Sequence, residues 1–174
     1  MGDTQLTLSL FCHERIEAEA NYAAGRLLFL QERFDEIARS SKPSIKEIQR
    51  IGKLFGNTFT TTMWRLVEAQ DIPAIGIISC HPHRPGNSFD PSNPLRYFIR
   101  SEEFGKRFSH VSDVALFEML KSYCGYVTKG PLGNSELAIQ DDNGNSHLFA
   151  FETFHNTHEA LTLGIYLRKI PFAS

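Results

Sequence analysis

A stretch between residues 13 and 30 combines side chains that could do chemistry with the spacing of one helix. His13, Glu17 and Asn21 follow one another at intervals of four residues, which places them on one helix face, one turn apart. Zinc sites often pair a carboxylate ligand with a polar neighbour, because the neighbour orients the ligand. The spacing therefore allows a zinc-ligating face, although the same pattern also fits a solvated face of an amphipathic helix.

The element that must position this face is a helix predicted over about residues 14–30. Its buried stripe follows helical spacing and consists of Ile16, Ala20, Ala23, Leu27 and Leu30. Alternating leucines predict a short strand before it, at residues 4–11, and a second short helix is expected after it, at residues 31–39.

Residues 17–30 also resemble an element of a known family. Their sequence, Glu-Ala-Glu-Ala-Asn-Tyr-Ala-Ala-Gly-Arg-Leu-Leu-Phe-Leu, looks like the E-x-x-A-N-x-F-A-x-x-L-L-x-P element of the ImmA/IrrE family of zinc metallopeptidases and peptidase-like proteins. The family's Phe is Ala23 here. The resemblance implies that Glu17 matches the third zinc ligand and that Asn21 supports the metal site from behind. It also implies a regulatory role through cleavage of protein substrates such as repressors.

The H-E-x-x-H motif of that family is missing from this sequence. In such a motif two histidines hold zinc on one helix face while the glutamate acts as general base. The nearest string runs from His13 to Glu17 and places a glutamate where the second histidine belongs. We therefore expect no bound zinc and no peptidase activity from this chain alone. The sequence is predicted to be the C-terminal part of such a peptidase, or a relative that has lost the catalytic helix.

Composition limits the remaining function classes. The 174 residues are 41% hydrophobic and carry a net charge of −2, which gives no overall attraction to nucleic acid or to an anionic membrane. No apolar run is long enough for a membrane span. The three cysteines have no pairing or zinc-binding spacing, which indicates reduced thiols and a cytoplasmic location.

Two helices after the first segment have the outline of a helix-turn-helix. Ser44 and Glu47 form a capping-box pattern before a helix over 45–55, and Gly56 is a typical helix end. A second helix is expected over 60–70, capped by Thr60 or Thr61.

The helix-turn-helix interpretation predicts DNA contacts from Thr61, Thr62 and Arg65 in the second helix. The cationic excess of this segment is small, because the charges of Lys46, Arg50, Lys53 and Arg65 are partly offset by those of Glu47 and Glu68. The alternative is a helical hairpin that buries Phe55 and Trp64 in the core.

From Asp71 onward the pattern becomes extended, which predicts a domain boundary between residues 1–71 and 72–174. The predicted elements are a helix from Ser112 to Tyr123, an irregular stretch around Phe104 and Phe108, and strands at 74–80, 96–100, 126–129, 136–140, 147–153 and 160–169. Asp142-Asn-Gly-Asn145 predicts a tight hairpin turn. The expected fold class is therefore α+β, with an N-terminal helical segment followed by a mainly antiparallel domain.

The strand over 147–153 makes a specific prediction about burial. Its alternation places Phe149 and Phe151 on one face, so we expect that face to be buried and the turn at Asn143-Gly144 to be exposed.

Other chemically capable side chains follow the first predicted strand of the second half. His81 and His83 could present two imidazoles to a metal, and His155 with His158 could form a second pair. Cys80 could act as a thiolate nucleophile beside His81, although a cysteine at a strand end is more often buried and inert.

Two functions from different classes remain open. The first is an ImmA/IrrE-type peptidase relative, truncated or inactive as given, that acts on a repressor-like protein when complete. The second is a non-catalytic binding or sensor module that contacts DNA or protein.

Overall fold

The computed structural model describes residues 31–87 and 89–171. The chain divides into two compact units, Met1–Ile37 and Ala38–Ser174. The first described helix, α1 (Gln31–Ser40), confirms the short helix that the sequence predicts here.

The predicted strand at residues 4–11 and the predicted helix at 14–30 lie outside the described residues. The zinc-ligand role of Glu17 and the supporting role of Asn21 therefore stay predictions.

The unit Ala38–Ser174 contains the other helices and one five-stranded sheet. The helices are α2 (Ile45–Phe55), α3 (Phe59–Glu68), α4 (Glu102–Arg107) and α5 (Asp113–Tyr123). The strands are β1 (Ala74–Ser79), β2 (Leu95–Arg100), β3 (Gly130–Gln140), β4 (Ser146–His155) and β5 (Ala160–Lys169). Among the described residues, no helix is long and apolar enough to cross a membrane.

The strand order is β2-β1-β5-β4-β3, and every neighbouring pair is antiparallel. The last strand of the sequence therefore lies at the centre of the sheet, and β2 and β3 form its edges. This arrangement confirms the predicted α+β class with a mainly antiparallel sheet.

Local signals fix the ends of α2 and α3. The Ser44 hydroxyl accepts a hydrogen bond from the Glu47 amide at 3.1 Å, as predicted. Gly56 ends α2 in the left-handed conformation with φ of 67°, also as predicted. The predicted cap of α3 at Thr60 or Thr61 is wrong. Thr58 caps the helix instead, through a hydroxyl that accepts from the Thr61 amide at 3.1 Å.

The sheet carries different helices on its two faces. On one face, α4 and α5 contribute to a core cluster whose largest members include Ile75, Phe104, Phe117, Phe149 and Phe151. On the other face, a Cβ added to Gly76 would lie 3.3 Å from Val67 of α3. The Ile45 amide of α2 donates to Glu152 of β4 at 2.8 Å on this second face.

The burial prediction for β4 is confirmed. Phe149 and Phe151 are buried, at 0% and 1% exposure, and Asn143 and Gly144 are exposed. Gly144 adopts a positive φ of 77°, which explains why glycine suits this turn.

Two predicted features of the second half are wrong. No strand forms at residues 126–129, and β3 instead begins at Gly130 and includes the predicted strand at 136–140. The stretch around Phe104 is not irregular, because Ser101 caps α4 by accepting from the Phe104 amide at 3.2 Å.

The predicted boundary between residues 71 and 72 lies within the compact unit Ala38–Ser174. The boundary stays a prediction, and a chain that begins at Ile72 would test it.

Gly164 offers a direct test of the sheet core. A Cβ at this position would lie 2.5 Å from Phe151 Cε1 and 2.8 Å from Ile75 Cγ1, which is too close for any side chain. We expect Gly164→Ala to lower the free energy of unfolding by about 1–3 kcal/mol or more, because it overpacks the core. Urea unfolding monitored by circular dichroism measures the change.

Gly105→Ala is the matched control. A Cβ on Gly105 has no heavy atom within 4 Å, and the residue lies in α4. We expect this variant to be as stable as the parent or more stable, by up to about 1 kcal/mol. Equal stability of both variants would contradict the packing at Gly164.

Candidate functional site

The exposed side of α3 meets the edge strand β2 and forms one continuous surface. We define the α3–β2 surface by five residues: Thr61, Trp64, Arg65, Glu68 and Tyr97. The rings of Trp64 and Tyr97 meet edge to face, with centroids 5.5 Å apart. Tyr97 is 40% exposed, so the pair is accessible from solvent.

Trp64 is not the core anchor that the sequence suggests. Met63, Leu66 and Val67 fill the inward face of α3 and are fully buried. Trp64 lies beside that face and is only half-buried. Phe55 is also only half-buried, so the prediction that these two side chains lie in the core is wrong.

The three predicted DNA-contacting residues lie in different surroundings. Thr62 is fully buried, and its hydroxyl donates to the Thr58 carbonyl at 2.8 Å, so it presents no surface to a partner in this arrangement. Thr61 is exposed at the start of α3. Arg65 keeps 26% of its side chain exposed. The DNA role of these residues stays a prediction.

Glu68 controls the charge of the α3–β2 surface. One carboxylate oxygen accepts from Trp64 Nε1 at 2.8 Å, and the other accepts from the Arg65 guanidinium at 3.2 Å. A similar pair joins Arg50 to Glu47 on α2, where the guanidinium donates to the carboxylate at 2.6 Å and 2.9 Å. That pair lowers the pKa of Glu47. Two of the four cationic side chains of the helix pair are thus neutralised within the chain.

A second group of side chains lies at one end of the sheet. Register brings it together: Ser79 of β1 and His155 of β4 both pair with Ala160 of the central strand β5. His81, two residues after Ser79, consequently meets His155, with ring centroids 5.0 Å apart.

His81, His83 and His155 form what we call the histidine clamp, because each ring contacts a main-chain carbonyl between α5 and β3. The rings reach the carbonyls of Val127 at 2.9 Å, Cys124 at 2.9 Å and Thr128 at 2.7 Å, respectively. A carbonyl can only accept, so the contacting ring nitrogen carries the proton in each case. The clamp holds the segment 124–128 in place of the strand that the sequence predicts near it.

His81 is held in its neutral form. Its Nε2–H donates to Val127, while its Nδ1 accepts the His83 amide at 3.1 Å. Burial lowers the pKa of His81, and the nearby His155, Arg84 and His83 lower it further. Protonation of Nδ1 would break the bond to the His83 amide.

The structure bears separately on the metal-ligand role and on the thiolate role that the sequence allows for these residues. Across residues 31–87 and 89–171, no three His, Cys, Asp or Glu side chains are arranged to hold a metal ion. His158 is exposed and lies apart from the clamp's carbonyl contacts. Burial raises the pKa of both Cys80 and Cys124, which disfavours the thiolate form.

The sequence does not predict the buried pair of Asp141 and His147. His147 Nε2 donates to Asp141 at 2.9 Å. Burial acts to raise the pKa of the Asp141 carboxyl, but hydrogen bonds from His147, Asn145 and Asn143 outweigh it and hold the pKa well below its usual range. The turn signal that follows Asp141 could have indicated this role, since aspartate often closes a turn by accepting from later amides.

Comparisons with known proteins do not identify a family for this chain. No family model matches the chain, and no curated protein matches it. Among solved structures, the chain is similar to a Mycobacterium tuberculosis transcriptional regulator, with a TM-score of 0.42 and 18% identity. The match covers 85% of this chain but only 49% of the regulator, so the chain spans about half the length of that protein. A likeness at this level carries no functional argument.

The neutral state of His81 predicts a pH dependence of stability. Because its pKa is lower in the folded than in the unfolded chain, the unfolded chain binds more protons below about pH 6.5. The contribution of His81 is therefore present above that pH and is lost as pH falls toward its folded pKa. Urea unfolding at a series of pH values should show that the free energy of unfolding falls less on acidification in His81→Gln than in the parent.

His158→Gln removes an exposed histidine and should leave the pH dependence of the parent unchanged. If His81→Gln and the parent lose the same free energy on acidification, the clamp does not depend on neutral His81. Should His81→Gln fail to fold, an NMR titration of the His81 ring in the parent gives the same information through its pKa.

Proposed function

We propose that this chain is a non-catalytic binding module that contacts a partner protein through the α3–β2 surface. The observation that carries the proposal is the half-buried Trp64 against the exposed Tyr97, with Arg65 beside them. Tryptophan, tyrosine and arginine are enriched among the few residues that carry most of the binding energy at protein interfaces. An aromatic pair left open to solvent at a sheet edge fits that use.

Charge favours protein over DNA as the partner. Glu68 places a carboxylate between Trp64 and Arg65 and pairs with the guanidinium. A phosphate backbone would have to displace this pair and approach a negative charge, whereas a protein partner can complement both signs. DNA contact through Thr61 and Arg65 is the alternative that the experiment below separates.

Residues of clamp and core support a non-catalytic role. One ring nitrogen of each histidine in the clamp donates to a main-chain carbonyl, and burial raises the pKa of the Cys80 thiol. In this arrangement these side chains stabilise the fold. We propose that the module works in the cytoplasm and, by its resemblance to the ImmA/IrrE family, in regulation through a repressor-like protein.

DNA binding separates the two partner classes. We expect fluorescence anisotropy with labelled duplexes of mixed sequence to show at most weak, sequence-independent binding that Arg65→Ala leaves unchanged. Thr61→Ala serves as a second probe of the same helix. A salt-sensitive, sequence-preferring affinity that Arg65→Ala abolishes would show that α3 reads DNA.

The protein contact is tested by site-specific photocrosslinking in cells. A photoreactive phenylalanine analogue at position 97 should yield a discrete crosslinked protein, and Glu68→Arg should remove it by placing two cations side by side. The analogue at position 126 is the control, because Tyr126 is 63% exposed but lies outside the α3–β2 surface. Identical products from both positions would contradict a specific interface.

The relation of residues 13–30 to a zinc site stays a prediction. We expect metal analysis of the purified chain to find zinc well below one equivalent, since one glutamate and one histidine form a weak site. Stoichiometric zinc that is lost in Glu17→Ala would overturn this prediction and support the peptidase assignment. Asn21→Ala, which removes the residue that the resemblance places behind the ligand, should then weaken zinc binding without abolishing it.

A further inference from the structure

The opposite edge of the sheet carries an independent feature. β3 pairs with β4 on one side only, and no described strand lies beyond it. Among the described residues, its outer side has one main-chain partner, where the Leu132 carbonyl accepts from Gly125 at 2.6 Å. From Gly133 to Gln140, alternate N–H and C=O groups therefore face outward, as they do along an edge strand.

A groove of about 400 Å³ lies at the C-terminal end of this edge, between α5 and residues Ala138–Gln140 of β3. Ala115 and Met119 of α5, together with Val111 just before the helix, line the side of the groove opposite the strand. Ala138 and Ile139 line its strand side. An edge strand beside a helix with an apolar groove between them is the geometry in which proteins bind extended peptides by strand addition.

The charges around the groove are mainly acidic. One ion pair balances itself, Lys121 with Glu118 at 2.6 Å, and the His110 ring lies within hydrogen-bond distance of the Asp142 carboxylate at 2.7 Å. Asp113 at the start of α5 and Glu136 on β3 have no cationic partner among the described residues.

We propose that the groove between β3 and α5 binds an extended, basic segment of a partner protein as an added strand. Side chains of an extended segment alternate between two faces. Apolar side chains would face Val111, Ala115 and Met119, and lysine or arginine side chains would face Glu136 on the other side. Main-chain bonds to Gly133–Gln140 provide affinity, and the groove and Glu136 provide selectivity. This proposal does not depend on the α3–β2 surface.

The test uses the full chain and capped, fluorescent hexapeptides in an anisotropy titration. The first peptide alternates lysine and valine, the second alternates glutamate and valine, and the third repeats the first with alternate backbone nitrogens methylated. We expect the lysine–valine peptide to bind about tenfold more tightly than either of the others, since they lose charge complementarity or main-chain bonds. In the complex, NMR amide shifts should change along Gly133–Gln140.

Variants locate the site. Ala115 is exposed, so Ala115→Arg should fold normally while filling the groove, and binding should fall by at least about tenfold. Glu136→Lys should reverse the preference in favour of the glutamate–valine peptide. Glu102→Lys, an exposed charge reversal on α4, is the matched control and should bind like the parent.

Several results would overturn the proposal. These are equal binding of all three peptides, binding unaffected by Ala115→Arg, or amide shifts that avoid β3. Concentration-dependent dimers that disappear in Ala115→Arg would show that a second copy of the chain occupies the edge, which would also overturn it.

Discussion

The tight packing of neighbouring side chains over Gly164 of β5 is the constraint on which the sheet depends. The side chains of Phe151 of β4 and Ile75 of β1 leave no room for a Cβ on Gly164. The absence of a side chain lets the phenylalanine ring lie over the central strand, where it joins the aromatic layer formed with Phe104 and Phe149. Helices α4 and α5 cover this layer, and α2 and α3 cover the opposite face. With β5 at the centre, both β2 and β3 remain at the edges.

The same register determines what the chemically capable residues do. Because β1 and β4 pair with the same residue of β5, His81 and His155 meet at the end of the sheet. They and His83 hold the carbonyls of the segment 124–128, which leads the chain into β3. Histidines that a catalytic site could have used thus hold the segment that leads into an edge strand. The features accessible to a partner are the α3–β2 surface at one edge of the sheet and the groove at the other.

Local signals made part of this structure predictable. The Ser44 cap, the left-handed Gly56 and the Asn143-Gly144 turn depend on residues close in sequence, and the alternation along β4 identifies Phe149 and Phe151 as buried. The sequence wrongly predicts a strand at 126–129, because distant histidines hold that segment through its carbonyls. Hydrophobicity places Trp64 in the core, which is wrong because Met63 and Val67 already fill the inward face of α3. The meeting of His81 with His155 requires a strand register that no local pattern contains.

Native-state hydrogen–deuterium exchange of the free chain tests directly whether β3 is an open edge. Amides of the central β5, from Leu161 to Ile165, should exchange most slowly, because both sides of the strand are paired. Alternate amides from Gly133 to Gln140 should exchange at rates close to those of exposed loops, since they face outward and have no main-chain partner among the described residues. Uniform slow exchange along β3, equal to that of β5, would show that the edge is already covered and would contradict the account.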